Sequence, residues 1–486
     1  MLQALRSTLT VIVLCAINGF TAVAQSDTFT SDLATADLER LYSGLQSADA
    51  GLFAETSQAV FDSAFAELKS KYAEAETVSS GDLHKDFQRF VALAKHGHTR
   101  IDGRNPFWDA HIEGDGLVFP LSIRFQQGEV IVAGVPSKTA AQPGDRIISL
   151  QGKPNPIWLA ELTRNISAET PELAYSLLAN TEPYFMLLEY GPMAQFSVEL
   201  KRGSKVIKTE IDAIGFDQLS ELVRMESGFQ LNGREANMIN KHVAYLRPGP
   251  FFNMEATKPG EYFSPESVAV FQEFVDTAFN DFIQKGAEHL ILDLRDNPGG
   301  DNSFSDPVIA WFADEPFRFA SDFRIKVSPE TTASNQKRVN ARQDGEGGIS
   351  AKFAELFAKA NNGDFVSFEL PYAQPREGER FTGDIHVLVN RFSYSNAVSV
   401  AALIQDYGFG TVYGEPTRDM STTYGAMEHF TLPHSGFLVG YPKAHIIRPN
   451  GIEESHPVTP DIAIPTPAVR GADDIVIREL LELLKK

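Results

Sequence analysis

Residues 289–300 read HLILDLRDNPGG, an apolar run that ends in charged residues and a glycine turn. A continuous apolar run bounded by Asn, Pro and Gly is typical of a strand that is buried on both faces and leads into a tight loop. Upstream, Ser264 and Pro265 begin a pattern with apolar residues on one helical face as far as Ile283, and Ser followed by Pro is a frequent helix start. The region therefore predicts a helix, a buried strand and a glycine loop in succession.

A similar order recurs about 90 residues later. Residues 385–390 predict a strand, residues 391–395 (RFSYS) a loop, and residues 396–407 a helix that ends at Gly408, because glycine readily adopts the left-handed backbone found after helices. Strands that alternate with helices between about residues 216 and 467 are typical of an α/β core. Ser395 then lies at the start of a helix.

Together these segments resemble the tail-specific (C-terminal-processing) serine peptidases and the related tricorn core. The resemblance is carried by LDLRDNPGG at 292–300, VNRFSYS at 389–395, QDYG at 405–408 and GEPT at 414–417. Either of the first two segments alone would more simply be an ordinary turn or helix cap. Their joint order and spacing imply a catalytic domain of the crotonase-like ββα type over 216–470, with Ser395 as the nucleophile of a serine peptidase.

The general base differs from that of the Ser-Lys members of this family. Those members carry a lysine 25 positions after the nucleophile, and that position here holds Met420. Arg418 stays protonated and cannot act as a base. Lys443 lies in GYPK, a run that does not match the family's lysine segment. The resemblance to the tricorn core implies a histidine base instead.

His98 stands in KHGHTR, which is similar to the Gly-His-Thr segment of the histidine-type relatives, although Gly97 replaces the serine that precedes the tricorn histidine. The late acidic motif of the family implies Glu454 as the residue that orients the base, with Glu453 as the alternative. The resemblance thus predicts a triad in which Ser395 is the nucleophile, His98 the base and Glu454 the residue that orients the base, as in other serine triads. Without the family resemblance, a histidine in a loop after a helix would be interpreted as structural or solvated, because most such histidines are.

A serine nucleophile also needs N–H donors aimed at the developing oxyanion. Asn396 begins the predicted helix, so its N–H has no intrahelical acceptor. Gly299 and Gly300 lack side chains and can approach closely. Asn396 and one of these glycines, Gly299 slightly preferred, are the predicted oxyanion hole. Asp293 and Arg295 are interpreted as a structural pair that anchors the glycine loop.

The histidines offer metal ligands in principle. His429, His434 and His456 fall in one late segment, but they form neither a helical HExxH motif nor a compact cluster. His96 and His98 could be half of a metal site. We predict no metal and no cofactor.

The sequence upstream of the catalytic region predicts two further domains. Residues 25–112 are rich in Ala, Glu, Leu and Phe at helical spacing and predict a small helical domain. Residues 113–215 contain short β-type runs, and Gly128 to Lys153, with its Pro-Gly-Asp turn, resembles a PDZ domain; an unrelated spacer domain is the alternative. Residues 471–486 predict a C-terminal helix. The fold class is thus α/β and α+β multidomain.

Residues 1–24 have the pattern of a signal peptide, with a basic start at Arg6, an apolar stretch, and Ala-Val-Ala before Gln25. The apolar stretch is shorter than the roughly 20 residues that span a bilayer. We expect cleavage after Ala24 and a periplasmic or secreted protein without cysteine, because Cys15 is the only one. The net charge of −21 becomes −22 once Arg6 is removed, which disfavours nucleic acid and anionic membrane surfaces as partners.

Two functions follow from the sequence. The first is an exported endopeptidase that acts on peptides or protein tails through an acyl-enzyme. The second is a non-catalytic peptide-binding protein on the same fold. The histidine in a matching segment favours the first. The sequence predicts no oligomeric state.

Overall fold

The computed structural model describes residues 28–102, 106–226, 233–341, 347–471 and 473–485. The predicted signal segment lies outside the described residues. Within these ranges, no helix has both the length and the apolar character needed to cross a membrane. The described chain contains three regions that follow one another in sequence.

The N-terminal region is mainly helical. Its elements are β1 (Thr28–Thr30), α1 (Ser31–Ala48), α2 (Gln58–Ala73), β2 (Thr77–Ser79), α3 (Ser80–Ala92), β3 (Arg100–Asp102) and α4 (Pro106–Glu113). Leu38, Leu41 and Leu45 of α1 are buried, because spacings of three and four bring side chains to one helical face. They share a hydrophobic core with Phe430 and Val439 of the third region. The helical region is therefore packed directly on the catalytic region.

The second region is a twisted antiparallel sheet with helices. Its elements are β4 (Leu117–Val118), β5 (Ser122–Gln126), β6 (Glu129–Gly134), β7 (Arg146–Leu150), β8 (Lys153–Pro154), α5 (Asn155–Thr163), α6 (Pro171–Tyr190), β9 (Gln195–Arg202), β10 (Lys205–Asp212), β11 (Ile214–Gly215) and α7 (Phe216–Glu226). The main sheet has the order β10-β9-β7-β6-β5. The long connection before β9 forms α5 and α6, whose Trp158, Leu162 and Leu178 fill the core. The resemblance to a PDZ domain stays a prediction.

The third region holds two sheets. Its elements are β12 (Glu235–Met238), β13 (Val243–Arg247), a 3-10 turn (Pro259–Glu261), α8 (Pro265–Gln284), β14 (His289–Asp293), α9 (Asn302–Ile309), β15 (Asp322–Lys326), α10 (Pro329–Ala341), α11 (Ile349–Phe357), β16 (Phe365–Ser367), β17 (Asp384–Val389), α12 (Asn396–Tyr407), β18 (Thr411–Gly414), β19 (Thr423–Thr431), β20 (Leu438–Ile447), β21 (Ile462–Ala463) and α13 (Ile475–Leu483). The first sheet has the order β12-β13-β14-β17-β18-β21 and is parallel from β13 onward.

The first sheet is covered on both faces. Leu290 and Leu292 of β14 pack in the core formed with α8 and α12, whereas Ile291 points to the opposite core, beneath α13. Successive side chains of a strand alternate between faces, so a strand between two helical layers must be apolar at every position. This confirms the buried strand predicted at 289–293. Burying each of these leucines stabilises the fold by about 1.5–3 kcal/mol.

The second sheet joins the N-terminal region to the catalytic region. Its order is β16-β15-β20-β19, and β3 pairs with β20 antiparallel, with Ile101 opposite Val439. The loop that precedes β3 carries His98. The pairing of β3 with β20 therefore fixes His98 relative to the catalytic region.

Candidate active site

The glycine loop leaves the end of β14 and is anchored by a buried ion cluster. Asp293 is fully buried and accepts hydrogen bonds from Arg295 Nη2 (2.7 Å), Arg247 Nη2 (3.0 Å) and the Tyr245 hydroxyl (2.7 Å). Burial raises the pKa of Asp293, but Arg295 and Arg247 outweigh it and hold the pKa well below its usual range. Arg295 also pairs with Asp474. These contacts support the interpretation of Asp293 and Arg295 as a structural pair.

Ser395 occupies a strained turn between β17 and α12. Its backbone has φ +52° and ψ −124°, a conformation that a residue with a side chain rarely adopts. Such strain costs on the order of 1–3 kcal/mol and persists where surrounding contacts enforce it, commonly at active sites. Here the Ser395 N–H donates to Asp419 Oδ2 at 2.5 Å. The turn presents the hydroxyl at the N-terminus of α12.

Ser393, the other serine of the motif, is a buried structural residue. Its hydroxyl donates to the Leu294 carbonyl (2.8 Å) and accepts from the Asn390 N–H (3.0 Å). In the same loop, the Tyr394 N–H donates to the Asn297 carbonyl (2.9 Å). These bonds join the nucleophile loop to the glycine loop.

The structure brings His98 to Ser395, although 297 positions separate them. His98 Nε2 lies 3.4 Å from Ser395 Oγ, and His98 as a residue is only 4% exposed. Burial, together with the charges of Arg100 and His96, lowers the pKa of His98 to about 3. The neutral ring can accept the serine proton at Nε2. A contact of this length is usual for a catalytic pair without substrate.

Tyr394 holds the loop that carries His98. Its ring stacks on the imidazole with centroids 5.5 Å apart, and its hydroxyl donates to the Gly97 carbonyl at 2.9 Å. A Cβ atom at position 97 would lie 2.6 Å from that hydroxyl. The tyrosine therefore explains why glycine, and not serine, precedes the histidine in this chain.

His96 does not share a ligand site with His98. The His96 ring lies 3.4 Å from Asp49 and 3.0 Å from the Thr99 hydroxyl. Burial opposes its protonation, but Asp49 outweighs burial and raises the pKa of His96. The buried His96–Asp49 pair stabilises the loop, whereas His98 faces Ser395.

The two glycines predicted for the oxyanion hole differ in the hydrogen bonding of their N–H groups. Gly299 lies against Ser395, since a Cβ atom there would be 2.8 Å from Ser395 Cβ, but its N–H donates to Asn297 Oδ1 at 2.9 Å. No hydrogen bond to an acceptor in the described ranges engages the N–H of Gly300 or of Asn396. Both glycines have positive φ, and a side chain at Gly300 would strike the Phe251 carbonyl. The arrangement favours Gly300 and Asn396 as donors.

Two carboxylates beneath the site were not identified from the sequence. Asp419 is buried, and burial followed by repulsion from Glu169 raises its pKa to about 7. Glu169 Oε2 accepts the Gly97 N–H at 3.2 Å, and burial raises the pKa of Glu169. The signal for Asp419 was its place next to Met420, where the Ser-Lys relatives carry their base. Glu169 had no such signal, because it lies in the second region.

The structure does not bring Glu454 to His98. The Glu454 side chain is 85% exposed, and its carboxylate contacts His456 Nε2 at 3.2 Å. Glu453, the alternative, pairs with Arg324 at 2.8 Å and is also exposed. Both residues lie in the turn that follows β20, where their side chains point to solvent. No described hydrogen bond links either carboxylate to His98.

Lys443 is also separate from the nucleophile. Its ammonium group is buried and lies 2.6 Å from Glu428, which also binds Arg338. Met420 is buried and pairs with Pro457 through an isolated β-bridge. Neither residue offers a base to Ser395.

The late histidines lie apart from one another. His429 contacts Asp102 at 2.9 Å, His434 is exposed in the turn between β19 and β20, and His456 contacts Glu454. They form no shared cluster among the described residues.

Comparison with protein families and curated proteins gives one match. The model of peptidase family S41 matches residues 262–464, which include the glycine loop and Ser395. No curated protein matches significantly.

Two solved structures share the fold over nearly the whole chain. Mature CPAF superimposes with a TM-score of 0.65 at 14% identity, covering 94% of this chain and 96% of the other. CPAF complexed with lactacystin gives a TM-score of 0.62 at 14% identity, covering 94% and 97%. The photosystem II D1 C-terminal processing protease is more distant, with a TM-score of 0.42 at 14% identity, covering 89% and 93%. At these identities the likeness concerns the fold alone.

Proposed function

Since the chain belongs to peptidase family S41 and is a serine-type peptidase, we propose that it hydrolyses peptides or protein tails through an acyl-enzyme on Ser395, with His98 as the general base. The observation that carries this proposal is the contact of 3.4 Å between His98 Nε2 and Ser395 Oγ at a strained helix start. Hydrolysis of an unfolded protein such as casein, blocked by a fluorophosphonate, tests it.

In the acylation step, Ser395 Oγ bonds to the scissile carbonyl carbon while its proton passes to His98 Nε2. The carbonyl oxygen becomes an oxyanion, which the N–H groups of Asn396 and Gly300 stabilise. Collapse of this intermediate breaks the C–N bond, and His98 returns the proton to the leaving amine. Water then attacks the ester with His98 again as base, which releases the acid and restores the serine.

The residues around His98 set the pKa of its imidazole and therefore its affinity for the serine proton. The buried ring resists protonation in the resting enzyme, which keeps it competent as a base. Glu454 remains the orienter that the family resemblance implies. To act in this way, the turn that carries Glu454 would have to release His456 and move toward the ring. In the structure, the His98 ring is oriented by the stacked Tyr394 ring and by the hydrogen bond from the Tyr394 hydroxyl to the Gly97 carbonyl.

Export and peptide-end binding are further parts of the proposal. Export rests on the signal pattern of residues 1–24, and peptide-end binding rests on the resemblance of the second region to a PDZ domain. The acidic composition supports a peptide or protein substrate over nucleic acid. No feature of the described chain favours the non-catalytic alternative.

We expect Asp419→Ala to slow acylation by about 10–100-fold, because it leaves the Ser395 and Met420 N–H groups buried without acceptors. Each such group costs about 1–3 kcal/mol. Asp419→Asn keeps one acceptor oxygen and should recover part of the rate. The measurement is the fluorophosphonate labelling rate, and casein turnover should show a fall in kcat larger than any rise in KM. Equal, near-normal rates in both variants would contradict a positioning role.

The pH dependence of kcat/KM follows from the lowered pKa of His98. The neutral imidazole is the active form of the base, so the contribution of His98 is lost as the pH falls through its pKa. Because burial lowers that pKa to about 3, we expect the acid limb to lie below the ordinary value of about 6.5. Rates of fluorophosphonate labelling between pH 4 and pH 8 test this, because no acid limb should appear near pH 6.5. A limb at or above 6.5 that moves down in Glu454→Gln would show that Glu454 contacts His98 in the working enzyme.

A further inference from the structure

Three potential metal ligands meet at the end of the parallel sheet that lies opposite the nucleophile. His289 and Asp384 are the first residues of β14 and β17, and His386 follows two positions later. His289 is in register with Asp384. Because side chains two apart on a strand share a face, all three project from the same face of the sheet. Their ligand atoms all lie within 4.8 Å of one another.

Two of the three separations between these ligand atoms match a tetrahedral coordination sphere, and the third is at most 4.8 Å. His386 Nε2 lies 3.2 Å from His289 Nδ1, which lies 3.4 Å from Asp384 Oδ2. Ligands bound tetrahedrally at the usual zinc distances of about 2.0–2.1 Å are separated by about 3.3–3.4 Å. A side-chain hydrogen bond can account for one of these contacts. A single proton on His289 Nδ1 cannot bond fully to both neighbours, which lie at the similar distances of 3.2 and 3.4 Å.

The cluster of His289, Asp384 and His386 packs against apolar side chains on one side and is open to solvent on the other. His386 is 6% exposed, and its ring packs edge-on against Tyr413. Beyond it on the same face lies the apolar cluster under α13 that includes Leu388 and Val476. The Asp384 side chain is 77% exposed, so a hydrated cation can reach the cluster from solvent.

We propose that His289, His386 and Asp384 form a binding site for a divalent cation of the zinc class, with water completing the coordination. Two imidazole nitrogens and one carboxylate oxygen are ligands that Zn²⁺ prefers. The site joins β14 to β17, the two central strands that lead into the glycine loop and the nucleophile loop. It lies at the strand starts, on the order of 15 Å from the strand ends at the rise of a β-strand. The bound cation therefore has a structural role and stabilises the sheet.

The test is a zinc titration of the untagged full chain after treatment with a chelator, followed by calorimetry. We expect one equivalent of Zn²⁺ to bind, and Co²⁺ in its place to give the visible absorption of a tetrahedral site. His386→Gln and Asp384→Asn should weaken Zn²⁺ binding by at least about 10-fold, the size of effect seen when coordination is disturbed. Asp384 is exposed, so its variant should fold even where a buried histidine variant does not.

His242→Gln is the matched control. His242 begins the neighbouring strand region and pairs with Glu288 at 3.1 Å, without a third ligand in the described group. Its variant should bind Zn²⁺ as the unmodified chain does. Saturating Zn²⁺ should also raise the Tm of the unmodified chain and of His242→Gln by similar amounts, and that of Asp384→Asn by less. Absence of zinc binding in the unmodified chain, or unchanged binding in Asp384→Asn, would overturn the proposal.

Discussion

Ser395→Ala is expected to abolish covalent labelling by a fluorophosphonate and to remove casein hydrolysis, whereas Ser393→Ala retains most of the labelling. The nucleophile contributes the atom that forms the acyl bond, and no neighbour can take its place in a fixed geometry. Ser395 Oγ faces His98 Nε2, while the Ser393 hydroxyl is bound to Leu294 and Asn390. The expected loss in turnover is about 10⁶-fold, the size seen for a serine nucleophile.

Ser393→Ala serves as the matched control because it removes the same hydroxyl two residues away. It loses two hydrogen bonds of the loop, which should lower the free energy of unfolding by about 1–3 kcal/mol. Denaturant unfolding separates that effect from catalysis. Equal loss of labelling in both folded variants would show that the two serines have been assigned the wrong roles.

His98→Ala is expected to lower kcat/KM by at least about 10³-fold, in line with loss of a triad member. The reason is the position of its Nε2, which is the only described side-chain base atom within hydrogen-bond distance of Ser395 Oγ. Glu454→Gln should cost less, because its carboxylate is exposed and contacts His456. Casein hydrolysis and fluorophosphonate labelling rates measure both effects.

Two controls sharpen this experiment. His434→Ala removes an exposed histidine in a turn and should leave kcat/KM unchanged. Lys443→Met removes the ammonium group bound to Glu428, which should cost stability because one partner of a buried pair is lost, while the folded fraction keeps its activity. Near-normal turnover in His98→Ala together with inactive, folded Lys443→Met would return the enzyme to the Ser-Lys class.

Local features of the sequence sufficed for the core elements. The apolar run of β14 required a strand buried on both faces, and Gly408, with φ +72°, ends α12 where the pattern predicts. The two motifs predict Ser395 at a helix start, and the structure has it at the N-cap of α12. These features could be predicted because strand burial, helix caps and glycine turns depend on residues close together in the chain.

The partners of Ser395 were decided by the tertiary structure. The pairing of β3 with β20 sets the distance between His98 and the nucleophile, and the family resemblance alone had suggested their contact. Sequence reasoning slightly preferred Gly299 as oxyanion donor, but Asn297 occupies its N–H. No sequence pattern predicts the contact between Glu169 and the Gly97 N–H. No sequence pattern shows that the Glu454 side chain points to solvent. Such contacts depend on packing between segments far apart in the chain, and local patterns carry no information about that packing.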